Sequence, residues 1–152
     1  MTSSSSSAAS ASAEPPAGAT YPGQRLGLPA TGRGAVAGWP RRILALFVDW
    51  IASLLVAGFF VGPGVLSSQG SESWATLLVF FVEVSLFTAL VGGSFGQLVT
   101  KVAVVRLDGT PVNLLVAIVR TLLICAVVPP VIYNRDQRGL HDLAAGTITV
   151  RR

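Results

Sequence analysis

Hydrophobic residues are concentrated in three long stretches of this chain, and short polar segments separate them. The stretches cover residues 43–66, 74–92 and 112–132. Each is close to the roughly 20 apolar residues that an α-helix needs to cross the hydrocarbon of a bilayer. The pattern predicts a mostly α, polytopic membrane protein with two or three transmembrane helices.

Two shorter stretches have the character of β-strands. Residues 102–105 are rich in β-branched side chains and are followed by the turn signal Asp108-Gly109. Residues 147–150 repeat this character after a small-residue segment. We expect these two strands to pair into a small cytoplasmic sheet.

The composition is that of a membrane protein. Hydrophobic residues make up 51% of the 152 residues and charged residues only 12%, whereas about 25% is usual in soluble domains. The formal net charge of +4 does not indicate a nucleic-acid partner, because the basic residues flank the apolar stretches and do not follow one helix face with aromatic residues between them. The expected environment is a lipid bilayer, with no nucleic acid bound.

The N-terminal region differs sharply from the rest of the chain. Residues 1–38 consist mainly of Ser, Ala, Gly and Pro, and hold too few apolar side chains to form a core. We predict a disordered tail over residues 1–38 and a membrane domain over residues 39–152. The tail lacks the basic start and apolar centre of a signal peptide, so residues 43–66 are expected to act as the first membrane anchor.

Basic residues indicate the orientation in the membrane. The loop 67–73 contains no Lys or Arg, while four arginines precede the first apolar stretch: Arg25, Arg33, Arg41 and Arg42. Because basic residues favour the cytoplasmic side, we predict a multi-pass protein of the plasma or inner membrane with a cytoplasmic N-terminus.

The topology of the third apolar stretch is open at this point. Arg120 lies in its middle and Pro129-Pro130 near its end, and both weaken a plain spanning helix. A single kinked span would place the C-terminus outside, away from the first strand. A stretch that dips into the membrane and returns would place the C-terminus inside, although 21 residues are few for such a hairpin.

Ionisable residues inside the apolar stretches are the first candidates for a functional site. Asp49 lies about 10 Å deeper than Arg42 along a helix, and Glu83 and Arg120 lie about 12 to 13 Å from the predicted cytoplasmic ends of their own stretches. We therefore predict that Arg120 bridges Asp49 and Glu83. One excess negative charge would remain for a proton or a cation, or the charges would only hold the helices together.

A second candidate cluster lies near the C-terminus, in the segment DQRGLHDLAAGT. His141 and Asp142 could serve as a proton relay or a ligand pair. One histidine and one aspartate make a poor metal site, however, so we expect Asp142 to cap the turn at residues 144–146. Neither a metal nor a cofactor is expected.

Enzymatic chemistry is the class that the sequence favours least. The chain has one cysteine, Cys125, which cannot form a disulfide or a thiolate cluster within one chain. Neither a nucleophile with an adjacent base nor a cofactor loop is evident in the sequence. We therefore expect no catalytic residue and no enzyme.

Taken together, the motifs resemble the RDD family of small membrane proteins, which is named for one arginine and two aspartates. Arg42 with Ala45 and Asp49 matches the first-helix pattern, and Asp142 stands at the second aspartate. The segments GGSFGQ, VVRLDGTPV and RGLHDLAAGT resemble the central and terminal motifs, and the resemblance covers residues 38–152. Many members have Gly-Lys where this chain has Gly96-Gln97. Any contact of that lysine with lipid or phosphate therefore does not carry over to this chain.

The resemblance implies an integral membrane protein, and sodium/proton antiport is proposed for some members of that family. One hypothesis is a transporter or ion-pathway component that uses Asp49 and Glu83 as the proton or cation site. The other hypothesis is a membrane scaffold or accessory subunit, in which the same charges are structural. Because two or three helices alone enclose no pathway, the first hypothesis requires a homo-oligomer or a larger membrane complex.

Overall fold

The computed structural model describes residues 21–66, 73–126 and 137–152. Within these ranges the chain is mostly helical with a small sheet, as the sequence predicted. The helices and strands, in chain order, are α1 (Trp39–Val61), α2 (Ser73–Val91), α3 (Phe95–Val99), β1 (Val102–Arg106), α4 (Leu114–Cys125), α5 (Leu140–Ala144) and β2 (Thr147–Arg151). Short 3₁₀ helices cover Gln24–Leu26 and Pro63–Leu66.

The two long helices α1 and α2 are the candidate membrane spans. They contain 23 and 19 residues, which corresponds to about 35 and 28 Å of helix. Pro40 stands in the first turn of α1, where its missing N–H is not needed. Much of their apolar surface is exposed, including Phe59 at 84% and Leu90 at 74%. Large apolar faces of this kind suggest insertion into a membrane.

Helix α4 is too short to be a third span by itself. Its 12 residues extend about 18 Å, against about 30 Å of hydrocarbon. The side chain of Asn113 caps the helix by accepting a hydrogen bond from the Val116 amide at 2.9 Å. The helix packs on α2, where Ile124 joins Phe80 and Val84 in a buried cluster. The end of the third apolar stretch, residues 127–132, lies outside the described residues.

The predicted strands pair as expected. β1 and β2 are antiparallel, with Val102 opposite Arg151 and Arg106 opposite Thr147. The segment before α1 adds to β2 on its other edge: the Ala37 amide donates to the Thr149 carbonyl at 2.9 Å, and the Arg151 amide donates to the Ala35 carbonyl at 2.8 Å.

Residues 21–38 therefore do not belong to a disordered tail, and that prediction is corrected for this part. Val36 bridges Val150 and packs with Ile148 in a buried cluster that Leu26 and Leu28 cover. A few apolar side chains and the edge of β2 are enough to order a segment that is otherwise rich in Gly and Pro. Residues 1–20 lie outside the described residues.

Contacts among the ends of the described elements bear on the course of the third stretch. The sheet lies where α1 begins and α2 ends, since the Val104 amide donates to the Gly92 carbonyl and the Arg152 amide donates to the Lys101 carbonyl. The C-terminal strand is therefore on the same side as the start of α1. A single span through residues 112–132 would separate them, so this arrangement favours the returning course over the kinked span.

Candidate functional site

Asp142 is the centre of the first charged site, which we call the arginine cluster: Arg42, Arg120, His141, Asp142 and Thr149. One carboxylate oxygen of Asp142 accepts from Arg42 Nη1 at 3.3 Å, and the other accepts from Arg120 Nε at 3.0 Å. His141 Nε2 lies 3.7 Å from the carboxylate. The Asp142 side chain has no exposed surface. Two guanidinium groups thus share one buried carboxylate.

Strand β2 supplies the remaining donors to Asp142. The Thr147 hydroxyl donates to one oxygen at 3.0 Å, and the Thr149 hydroxyl donates to the other at 3.1 Å. Burial alone would raise the pKa of Asp142, but Arg120, His141 and Arg42 hold it well below its usual range. Asp142 is therefore not the cap of the turn at residues 144–146, because both of its oxygens point into the arginine cluster.

Arg42 ties three segments of the chain together. Besides Asp142, it donates through Nε to the Ala37 carbonyl at 2.9 Å and through Nη2 to the Thr149 carbonyl at 3.1 Å. Its guanidinium thus joins the segment before α1 to α5 and β2. Arg138 adds a further link, donating to the carbonyls of Thr147 and Asp142.

Asp49 and Glu83 form a separate site around the first turn of α3, which we call the carboxylate clasp. Asp49 accepts hydrogen bonds from the Ser94 hydroxyl at 2.5 Å and from the Gly96 amide. Glu83 Oε1 accepts from the Phe95 amide at 2.9 Å. Two carboxylates from the two long helices thus bind three consecutive residues of one turn.

The local sequence explains why α3 can enter this position. A Cβ at Gly96 would overlap the Ala45 carbonyl oxygen and come within 2.8 Å of Asp49, so only glycine fits against α1. Ser94 and Gln97 form a reciprocal capping box, in which the Ser94 amide donates to Gln97 Oε1 at 3.0 Å. A lysine at position 97 could not accept this hydrogen bond.

The structure corrects the predicted pairing of the buried charges. Arg120 bonds to Asp142, whereas Asp49 and Glu83 bond to α3. Matching the depths of charged residues along the helices predicts their partners only if no other segment enters the space between the helices. Here α3 and α5 also place polar groups in that space. The sequence did not identify Ser94, Thr147 and Thr149 as hydrogen-bond partners of the aspartates. Their hydroxyl groups are uncharged and lie in short segments, so nothing in the sequence pattern marks them.

One carboxylate oxygen and one arginine nitrogen distinguish these sites from ordinary ion pairs. Glu83 Oε2 and Arg120 Nη1 are buried atoms without a hydrogen-bond partner within the described part of the chain. Such groups are rare in folded proteins and call for an explanation. In contrast, both oxygens of Asp49 and of Asp142 have donors.

The fold and these two sites define the class: a mostly helical protein with two candidate membrane spans, whose charges lie between the helices and a small sheet. The RDD family matches residues 36–146. Since this is well over half of the chain, the protein belongs to the RDD family, and the resemblance of its motifs is confirmed. Comparisons with curated proteins and with solved structures gave no match.

The three residues to which the motifs drew attention do not form one site. Arg42 and Asp142 lie in the arginine cluster, and Asp49 lies in the carboxylate clasp. Arg120 completes the first site and Glu83 the second, although neither belongs to the arginine and two aspartates of the family name. The division matters for function, because the arginine cluster is saturated with internal bonds around its carboxylate and the clasp is not.

Proposed function

We propose that this RDD protein is an integral membrane component of a proton or cation pathway, with Glu83 and Asp49 as its exchangeable carboxylates. The observation that carries the proposal is the carboxylate clasp itself: two carboxylates from different apolar helices meet at one turn, and one oxygen of Glu83 has no hydrogen-bond partner in the described residues. A carboxylate within a membrane-spanning helix costs free energy, and such residues commonly belong to ion or substrate pathways.

Binding at Glu83 would be coupled to the position of α3. The Phe95 amide donates to a charged Glu83 more strongly than to a protonated one. Protonation would loosen this bond, and the entry of a cation would restore the charge on the carboxylate. Helix ends lie at the ion sites of many transporters, and the first turn of α3 meets both carboxylates here.

The arginine cluster has a different part in this proposal. Its two guanidinium groups and two threonine hydroxyls hold Asp142 charged and fasten α5 and β2 to α1. The arginine cluster is the rigid part of the protein, and α3 changes its position relative to it. Because two spans enclose no pathway, the working unit is a homo-oligomer or a larger membrane complex.

The test is proton flux into liposomes that contain the purified full chain, driven by a sodium or a potassium gradient. We expect flux in wild type and at least a tenfold loss in Glu83→Gln and Asp49→Asn. Gln at position 83 can still accept from the Phe95 amide, so the fold survives while the exchangeable charge is lost. Asp108→Asn is the matched control, since Asp108 is an exposed carboxylate in the turn after β1.

A scaffold or accessory subunit is the second candidate. The observation in its favour is the saturation of Asp49, whose two oxygens both accept hydrogen bonds within the protein. Well-folded wild-type protein without flux under either gradient would favour the scaffold and reject an autonomous pathway. Equal flux in wild type and Glu83→Gln would reject Glu83 as the exchangeable group.

A further inference from the structure

A small cavity lies beside the arginine cluster and is not part of the carboxylate clasp. Its volume is about 30 Å³, enough for one or two water-sized particles. Its lining includes the polar residues Arg42, Arg120, Gln97 and Thr149 and the apolar residues Leu46 and Ile124. No carboxylate lines it among the described residues.

Arg120 supplies the evidence that the cavity holds something. Its side chain is only 2% exposed. Nε donates to Asp142 and Nη2 lies 3.5 Å from the Thr149 hydroxyl, but Nη1 has no hydrogen-bond partner in the described chain. A buried charged donor without an acceptor carries a large desolvation penalty. An acceptor in the cavity would remove it.

We infer that this cavity binds one monoatomic anion of the chloride type, with Arg120 Nη1 as its principal donor. The charge balance favours an anion over a neutral water, because Arg42 and Arg120 carry two positive charges and share the single carboxylate of Asp142. The small volume favours an occupant close to the size of a water molecule. Leu46 and Ile124 provide apolar surface in the lining of the cavity.

The anion would connect α3 to elements that the arginine cluster already joins. Gln97 belongs to α3, Arg120 to α4 and Thr149 to β2, and all three line the cavity. An occupant would therefore stabilise the folded arrangement of these segments. Any ligand that binds only the folded state raises the unfolding temperature, and the rise becomes logarithmic in ligand concentration above the dissociation constant.

The test is the thermal unfolding of the purified full chain in detergent, with chloride replacing gluconate at constant ionic strength. We expect the unfolding midpoint to rise with chloride concentration, in proportion to its logarithm once the site is mostly occupied. Leu46→Phe should abolish this rise by filling the cavity without altering any charge, and Arg120→Lys should weaken the apparent chloride affinity at least tenfold. Arg41→Gln is the matched control, because Arg41 is exposed and adjacent to Arg42.

Two results would overturn the inference. A wild-type midpoint that is the same in chloride and gluconate would mean that the cavity holds no anion. A chloride effect of equal size in wild type and Leu46→Phe would assign it to the protein surface. If Arg120→Lys fails to fold, the comparison of wild type, Leu46→Phe and Arg41→Gln still decides the matter.

Discussion

At the scale of single residues, each buried carboxylate is explained by its own donors. Asp142 is held charged by two arginines and two threonine hydroxyls. Asp49 is held by a serine hydroxyl and a backbone amide. Removing one partner of such a buried pair costs far more than the intact pair contributes, because the remaining charge is left uncompensated. Asp142 is the most sensitive position, since two arginines depend on it.

Asp142→Asn tests this dependence. We expect a loss of about 3 to 5 kcal/mol in the free energy of unfolding near neutral pH, because Arg42 and Arg120 would remain buried without a counter-charge. Unfolding of the purified protein measures the loss. Asp108→Asn serves as the control and should unfold as wild type does. A variant at position 142 that matches wild type would contradict the role of the cluster.

The same residue gives an expected pH dependence. The folded pKa of Asp142 is lowered, because Arg120, His141 and Arg42 outweigh the effect of burial. Its contribution to stability is therefore complete above the unfolded pKa of about 3.9 and is lost as the pH falls through the lower folded value. Wild type should lose stability below about pH 4, and Asp142→Asn should lack this component of the acid response.

At the scale of the elements, the decisive feature is the close approach of α3 to α1. Helix α3 has only five residues and would not be stable alone. It is held by its capping box and by the two carboxylates of the clasp. Gly96 permits the contact because its missing side chain leaves room for the Ala45 carbonyl. The position of α3 thus depends on one glycine and two acids.

Gly96→Ala is the corresponding prediction. The new methyl group would overlap the backbone of α1, so α3 must move away and the Asp49 hydrogen bonds must break. We expect a loss of at least about 2 kcal/mol in the free energy of unfolding, the range found for overpacked cores.

Gly58→Ala is the matched control for that variant. Gly58 lies in α1, and a methyl group there would meet only Val65 at an ordinary 3.7 Å. Alanine also has the higher helix propensity. The Gly58 variant should therefore be as stable as wild type. Equal stability of the two variants would show that α3 does not pack as described.

Several elements could be predicted from the sequence, and the reasons for the failures are physical. Long apolar stretches predicted α1 and α2, and β-branched residues predicted β1 and β2. The strand-like pairing of residues 34–37 was missed because its hydrogen bonds use the backbone, which a Gly- and Pro-rich composition conceals. The partners of Arg120 were missed because Asp142 is distant in the chain and outside the apolar stretches.

At the scale of the whole molecule, the chain brings both of its described ends to one side. The segment before α1, the end of α2 and the C-terminal strand meet in the sheet, and the arginine cluster lies beneath it. The two long helices extend away from this end. Helix α4 begins here too, and residues 137–152 return here. The sheet and the arginine cluster thus lie at one end of the two long helices, and the end of α1 and the start of α2 lie at the other.

Labelling of single cysteines in a Cys125→Ser background tests this arrangement. Arg41→Cys, Asp108→Cys and Arg152→Cys should react with a membrane-impermeant maleimide from the same side of sealed vesicles, and the charge bias predicts that this side is the cytoplasmic one. Trp74→Cys, at the start of α2, should react from the opposite side. Labelling of positions 41 and 152 from opposite sides would contradict the fold.

The central functional claim is that sodium and protons compete at Glu83, and infrared difference spectroscopy of the protein in bilayers tests it most directly. Addition of sodium should remove the carbonyl band of a protonated carboxyl group in wild type and in Asp108→Asn. The same band should be absent from Glu83→Gln. A sodium response that is missing in wild type, or that persists in Glu83→Gln, would contradict the account.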